Sequence, residues 1–340
     1  MKIVDLRSDT VTRPTPEMRE AMARAEVGDD VYREDPTVRK LEETGAELAG
    51  KEAALFVASG TMGNQVAVLS HTARGNEIIV DSEAHIYYYE VGAPAVLSAV
   101  QVRPVAGLHG SDAVSLFTSA VREEELHFPQ TTLLCLENTH NRMGGTVTGP
   151  DVMRQLYAAA RERGVAVHLD GARIGNAAVS LGCRISELTQ YCDSVMFCLS
   201  KGLGAPVGSL LAGSEAFIAR ARKYRKMLGG GMRQAGILAA AGLVALGAVD
   251  RLAEDHANAR LLAEKLAAVP GVEIDLDRVQ TNIVVADVSG TGISAREYTG
   301  TLRERGVLAS PFGPALVRFV THLDVSREDV EYAVEKVVNA

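Results

Sequence analysis

The chain has no tryptophan and only 5% aromatic residues, which argues against a carbohydrate-stacking surface. Its four cysteines, Cys135, Cys183, Cys192 and Cys198, form no CxxC pair. Reduced core thiols are expected from that spacing, and no metal site is legible. No apolar run reaches the roughly 18 residues needed to span a bilayer. The N-terminal stretch Met1–Ser8 lacks the apolar core of a signal peptide, so a cytoplasmic protein with no membrane partner is expected. No basic block stands out either. With 35 basic and 43 acidic residues the net charge is -8, which speaks against nucleic acid as a partner. Neither GK[ST] nor GxGxxG follows the first strand candidate, which argues against a nucleotide-dependent enzyme.

What is present is a chain of 340 residues, 47% hydrophobic, long enough for one large or two unequal domains. Short apolar runs alternate with helical patterns. The strand candidates are Ala53–Ser59, Glu77–Ser82, Val100–Val105, Thr132–Asn138, Val165–Asp170, Ser194–Ser200 and Ser209–Ala212. Helical stretches such as Pro36–Ala49, Thr61–His71, Pro150–Arg163 and Glu215–Met227 lie between them. Alternation of this kind implies right-handed crossovers and an α/β fold with a mainly parallel seven-stranded sheet. From about Ala235 the texture changes to a long Ala/Leu-rich helical pattern, broken near Gly247. Strands at Val272–Leu276, Asn282–Val288 and Leu316–Thr321 then alternate with helices at Ser294–Arg305 and Arg327–Val338. We expect a large domain over residues 13–245 and a smaller α+β C-terminal domain over residues 246–340.

The chemistry concentrates at strand ends. Ser194-Val-Met-Phe-Cys-Leu-Ser200 is an apolar run that ends at Lys201 and a glycine-rich turn, and Val165-Ala-Val-His168-Leu169 ends at Asp170. Ligands bind at the carboxyl ends of parallel strands. An amine and a carboxylate delivered there by two strands are the parts a pyridoxal phosphate site needs, a Schiff-base lysine and a partner for the ring nitrogen. Arg173 follows Asp170 within reach of the same site. Ser59-Gly60-Thr61-Met62-Gly63-Asn64 turns a strand into a helix, whose free N–H groups suit a phosphate. His85, just after a strand, offers a flat ring for stacking. Lys226 and Arg233 flank Gly229-Gly-Gly231, where basic residues suit a phosphate or a subunit contact. Arg318 lies inside an apolar strand and needs an anionic partner, either a substrate carboxylate or an internal acid.

These segments, taken in order, resemble the L-threonine aldolases of the β-eliminating lyase group. The resemblance runs nearly end to end. It includes Asp5-Leu-Arg-Ser-Asp-Thr10, Gly28-Asp-Asp-Val-Tyr32, Glu137-Asn-Thr-His140, His168-Leu-Asp-Gly-Ala-Arg-Ile174, Ser200-Lys-Gly-Leu-Gly-Ala-Pro-Val-Gly208 and Gly229-Gly-Gly-Met-Arg-Gln234. It implies an aspartate-aminotransferase-like fold (pyridoxal phosphate fold type I). It also implies reversible retro-aldol cleavage of threonine, allo-threonine and related β-hydroxy-α-amino acids to glycine and an aldehyde. Roles carry over residue by residue. Lys201 resembles the Schiff-base lysine, Asp170 the pyridinium partner and His85 the stacking ring. Gly60, Thr61 and Met62 resemble the phosphate cup, with Arg173 near the cofactor oxygen and substrate carboxylate. Ser8 and Arg318 resemble a carboxylate clamp, which brings residues 1–12 to the site. Tyr32 and Tyr89 match pocket positions. His127 matches the histidine facing the β-substituent, and it or a water held by His85 or the phosphate is the candidate base. Arg233 and Lys226 resemble residues lent by a neighbouring subunit, which implies a homo-oligomer, a tetramer built as a dimer of dimers.

Overall fold

The computed structural model describes residues 2–338. Twelve strands are formed among them: β1 (Val4–Asp5), β2 (Ala53–Val57), β3 (Glu77–Asp81), β4 (Gln101–Val105), β5 (Thr131–Glu137), β6 (Ala166–Asp170), β7 (Ser194–Cys198), β8 (Ser209–Gly213), β9 (Ile283–Asp287), β10 (Val307–Leu308), β11 (Ser310–Pro311) and β12 (Leu316–Val320). Seven form one sheet in the order β2-β8-β7-β6-β5-β3-β4. Its neighbours run parallel except around β8, which is antiparallel to both β2 and β7. The link from β7 to β8 is a turn too short for a crossover helix, so the chain must double back. Gly208 in that turn sits at φ +100, and a Cβ there would come within 2.4 Å of Phe56 Cε2. Only glycine fits both demands.

The central strands are buried on both faces, as parallel strands covered by helices must be. The helix Pro36–Leu48 starts where Asp35 accepts the N–H groups of Thr37 (3.1 Å) and Val38 (2.9 Å), with Pro36 in the first turn. Such a cap contributes about 1 kcal/mol. The other Asp35 oxygen accepts N–H from Gly28 and Gly236, so one side chain ties three segments. The helix Gly60–His71 packs hard on β7, where a Cβ on Gly63 would meet Met196 at 2.5 Å.

The Ala/Leu-rich stretch is indeed broken. Helices Gly236–Leu246 and Leu252–Leu266 meet, through a short 3-10 turn, at 58°. No single helix is long and apolar enough to cross a membrane among the described residues. Four apolar clusters form among the described residues, two of them large. One runs from Met18 to Leu246, and the other joins Val4 and Leu6 to residues between Ala259 and Val337. The second core lies on an antiparallel sheet β11-β12-β9. β1 pairs in parallel with β10, so the N-terminal segment packs against C-terminal residues. The expected strand Val272–Leu276 does not form. It is reduced to a single bridge, Glu273 with Asp287, followed by a 3-10 turn at Leu276–Arg278. Asp275 caps that turn through the Asp277 N–H, a local bond that competes with strand pairing.

Candidate active site

Strand order reverses between β3 and β5, which opens a crevice at the carboxyl ends of the sheet. The end of β6 brings Asp170 there, opposite Met196 of β7. Three residues past β7 the chain reaches Lys201. Both side chains line one cleft of about 360 Å³, shared with Ser8, His85, Tyr89, Arg173 and Arg318. The sequence-expected acid and amine therefore face the same space from neighbouring strands. Asp170 is buried, with Oδ1 accepting the Ala172 N–H (3.1 Å) and Oδ2 the Asn64 amide (2.8 Å). Each oxygen keeps a lone pair for a further donor.

His85 begins a short helical turn after β3 and is fixed twice. Its backbone N–H donates to Glu137 Oε2 (2.6 Å), and its ring Nδ1 lies 2.9 Å from Glu90 Oε1. Burial by itself depresses the imidazole. The hydrogen bond to Glu90 and the charges of Asp170 and Glu90 more than reverse this, so the pKa of His85 stands above its ordinary value. Glu90, itself buried, also accepts from Asn64 (2.8 Å) and Gln65 (2.5 Å). Glu137 ends β5 and lines the cleft, and burial pushes its carboxyl up.

The opposite wall carries the cations. Arg173 is buried and grips Asp9 with Nε and Nη2, both at 2.7 Å. Asp9 is fully buried. Burial opposes its charge, but Arg173, with Lys201 and the Asn282 amide, holds its carboxyl well below the usual range. Arg318 donates to Asn141 Oδ1 (2.8 Å) and to the Arg7 carbonyl (3.3 Å), while its Nε has no partner. Burial, with the Arg173 charge nearby, brings it down to about 10. No carboxylate lies within ion-pair distance of it among the described residues, so the internal acid partner that the sequence left open is absent. Ser8 reaches the cleft by capping its own 3-10 turn, Asp9–Val11. Tyr89 lines the mouth, its hydroxyl accepting from Arg142 (3.0 Å).

Seven sequence candidates lie elsewhere or at the rim. Gly60, Thr61 and Met62 open the helix Gly60–His71 under the Ser59 cap, which accepts the Met62 N–H at 3.1 Å. A Cβ on Gly60 would lie 3.0 Å from Cys198 Sγ, so this helix start abuts the end of β7, although none of the three lines the cleft. His127 does not enter the cleft. It sits in an exposed loop, its side chain 78% exposed, with the ring against Glu125 at 3.0 Å. It follows the acidic run Glu123–Glu125, and its apolar neighbours Leu126 and Phe128 are exposed as well. Tyr32 (72% exposed) follows Asp30 on a 3-10 turn, near Arg233, which pairs with Asp29 at 3.0 Å. Lys226 is exposed at the end of the neighbouring helix, beside Gly231. Tyr32, Lys226 and Arg233 thus share a face outside their own chain's cleft.

Asp9, Asn64, Glu90 and Glu137 were not assigned roles from sequence. Asp9, Asn64 and Glu137 sit inside motifs that carried the resemblance, whereas Glu90 gave no signal. One acid–imidazole cluster lies behind Glu137. Asp81 is 3.2 Å from His109 and 3.5 Å from His140, and it also accepts N–H from Glu83, Gly107 and Leu108. Its oxygens are occupied by loop-anchoring bonds.

Residues 5–289 match the family model for β-eliminating lyases. The chain belongs to the β-eliminating lyase family. It is 50% identical over 333 residues to the low specificity L-threonine aldolase of Escherichia coli K12, with 96% of each chain covered. It is 46% identical to the probable low-specificity L-threonine aldolase 2 of Arabidopsis thaliana, over 98% of this chain and 95% of that one. Among solved structures, the threonine aldolase of Leishmania major superposes with a TM-score of 0.84 at 20% identity, over 98% of each chain. Sphingomonas wittichii serine palmitoyltransferase does so with 0.79 at 18% identity, over 99% of this chain and 86% of that one. These likenesses show the fold, which is the aspartate-aminotransferase-like α/β fold expected from sequence. As a β-eliminating lyase family member, the chain places its charged cleft where that fold binds ligands, at the carboxyl ends of the strands.

Proposed function

We propose that this protein is a pyridoxal phosphate-dependent aldehyde-lyase that cleaves L-threonine, L-allo-threonine and related β-hydroxy-α-amino acids to glycine and an aldehyde. The observation that carries the reading is the cleft itself. A lysine and a buried carboxylate from adjacent strands face one cavity, beside a guanidinium with no internal acid. The residues fit the cofactor. Lys201 has no ion-pair partner among the described residues, Asp170 keeps free lone pairs, and the helix start at Gly60 and Thr61 leaves backbone N–H groups for a phosphate. When bound, the cofactor supplies an electron sink for the bond broken at the substrate α-carbon.

The chain's own residues then have separable tasks. Arg318 and Ser8, with the remaining edge of Arg173, hold the substrate carboxylate, which decides which α-carbon bond stands ready to break. Asp170 would accept a hydrogen bond from the cofactor's ring nitrogen. His85, its pKa raised by Glu90 and Asp170, would offer its ring to stack on the cofactor. The Lys201 amine would hold the cofactor and move a proton near the substrate α-carbon. Tyr89 lines the side reached by the β-substituent. Tyr32, His127, Lys226 and Arg233, which lie outside their own chain's cleft, serve a neighbouring subunit's site in a homotetramer of the cytoplasm. His127, or a water held by His85, takes the β-hydroxyl proton.

Product analysis tests this reading. Incubation with L-allo-threonine and L-threonine, with no keto acid added, should release acetaldehyde and glycine in equal amounts. Lys201→Ala should lose both turnover and the visible absorbance of the bound cofactor. Full turnover in that variant refutes the assignment.

A further inference from the structure

Behind Asp170 runs a chain of buried polar groups that none of the tasks above uses. His71 Nε2 lies 2.7 Å from Ser194 Oγ, and Ser194 Oγ lies 2.9 Å from His168 Nδ1. His168 Nε2 is 3.0 Å from Asn64 Oδ1. Asn64 Nδ2 is 2.8 Å from both Asp170 Oδ2 and Glu90 Oε1. Asn64, His168 and Ser194 are completely shielded from solvent. The helix Gly60–His71 supplies both ends of the chain, while β6 and β7 supply its middle.

The direction of every bond can be worked out from the acid end. Two carboxylates accept from Asn64, so its amide nitrogen faces them and both hydrogens are used. The amide oxygen then needs a donor, which only the Nε2–H of His168 provides. Burial keeps His168 neutral, pushing it down to about 3, so its Nδ1 is an acceptor and the Ser194 hydroxyl donates to it. Ser194 oxygen accepts in turn from His71, which burial brings down to about 4. One arrangement of protons satisfies the whole chain. It runs from His71 to the two acids and brings donors, never acceptors, to Asp170.

We propose that Asn64, locked in this orientation by His168 and Ser194, is the positioning residue that aims the free lone pair of Asp170 into the cleft and couples it to the His85–Glu90 pair. This rests on the assignment of Asp170 as the partner of the cofactor's ring nitrogen. A neighbour that only donates leaves Asp170 as an acceptor, aimed to take a hydrogen bond from the N–H of the ring nitrogen.

The test uses holoenzyme reconstituted with pyridoxal phosphate isotopically labelled at the ring nitrogen. Wild type, Asn64→Ala, His168→Phe and Ser194→Ala are compared by the nitrogen chemical shift and by kcat and KM for L-threonine. Asn64→Ala should move the shift toward that of unprotonated nitrogen and lower kcat on the order of tenfold, with KM little changed. His168→Phe and Ser194→Ala should do the same in decreasing degree. Should Asn64→Ala fail to fold, the other two variants decide the matter. Variants that bind cofactor and melt at a lower temperature, yet keep the wild-type shift, overturn the proposal. A wild-type protein that takes up no cofactor overturns instead the reading of the cleft.

Discussion

Replacing Asp9 by asparagine keeps the side chain's shape and removes only its charge. Asp9 is fully buried, with both oxygens on the Arg173 fork at 2.7 Å and one also taking the Asn282 amide at 3.2 Å. The variant leaves a buried guanidinium facing an amide. Breaking one side of such a pair costs about 3–5 kcal/mol, a large part of the roughly 5–15 kcal/mol that holds a domain together. The pair's own net worth is smaller, because both ions were taken out of water to form it. Asp9→Leu with Arg173→Met should therefore recover much of the loss in stability while activity stays low. The pH dependence has a definite sign. The folded carboxyl is depressed, so its contribution is fully present above the unfolded value, about 4, and fades as pH falls through it toward the folded value. Urea midpoints of wild type, single and double variants at pH 7 and at pH 4 measure all of this. The gap between wild type and Asp9→Asn should be wide at pH 7 and narrower in acid. A single-variant cost under about 1 kcal/mol, or a double variant as unstable as the single, would refute the argument.

Arg318→Met should raise KM for the amino acid about tenfold or more, the value of a charge-assisted hydrogen bond, while cofactor binding is unchanged in a titration of the visible absorbance. Stability should fall in mild acid. His71 and His168 are depressed to about 4 and about 3, so the unfolded state binds their protons first once pH drops below roughly 6.5, and stability is lost progressively below that point. His168→Phe should flatten that part of a melting-temperature profile. Mixing inactive Lys201→Ala with inactive Arg233→Ala subunits should restore on the order of a quarter of wild-type activity, because half the hybrid sites escape both defects. No recovery after confirmed subunit exchange would show that Arg233 serves its own chain or none.

The sheet was legible because its strands are short apolar runs between capped helices, and a buried parallel strand leaves little choice of residue. The site was legible where chemistry sits at a strand end, as at Asp170 and Lys201. Period and pattern say nothing about strand direction, so the reversal at β8 had to come from the length of the turn at Gly208. Polar residues whose partners are distant in sequence were harder still. Asp9 meets Arg173 across 164 positions, and Asn64 meets Asp170 across 106. Nothing local marks either as more than a helix cap or a buried amide. Asp275 misled in the opposite sense, as its short-range bond to the Asp277 N–H breaks what reads as a strand.

The pairing of charges also narrows the carboxylate clamp. Four basic side chains border the cleft: His85, Arg173, Lys201 and Arg318. His85 is held by Glu90. Arg173 has two of its three nitrogens on Asp9, so an incoming carboxylate can take at most its third, and a two-pronged grip there would require breaking a buried ion pair. Lys201 is committed to the cofactor if the proposed chemistry holds. Arg318 alone combines a depressed pKa with a buried, unpartnered Nε, and its anchors are neutral oxygens of Asn141 and Arg7. A neutral oxygen orients a guanidinium without cancelling its charge. The desolvation cost of Arg318 is only partly offset in the protein alone, by the Phe312 ring 4.9 Å away and the charge of Asp9, and is offset further when an anion arrives. The carboxylate of an α-amino acid should thus anchor on Arg318 first, with Ser8 and the free edge of Arg173 setting its orientation.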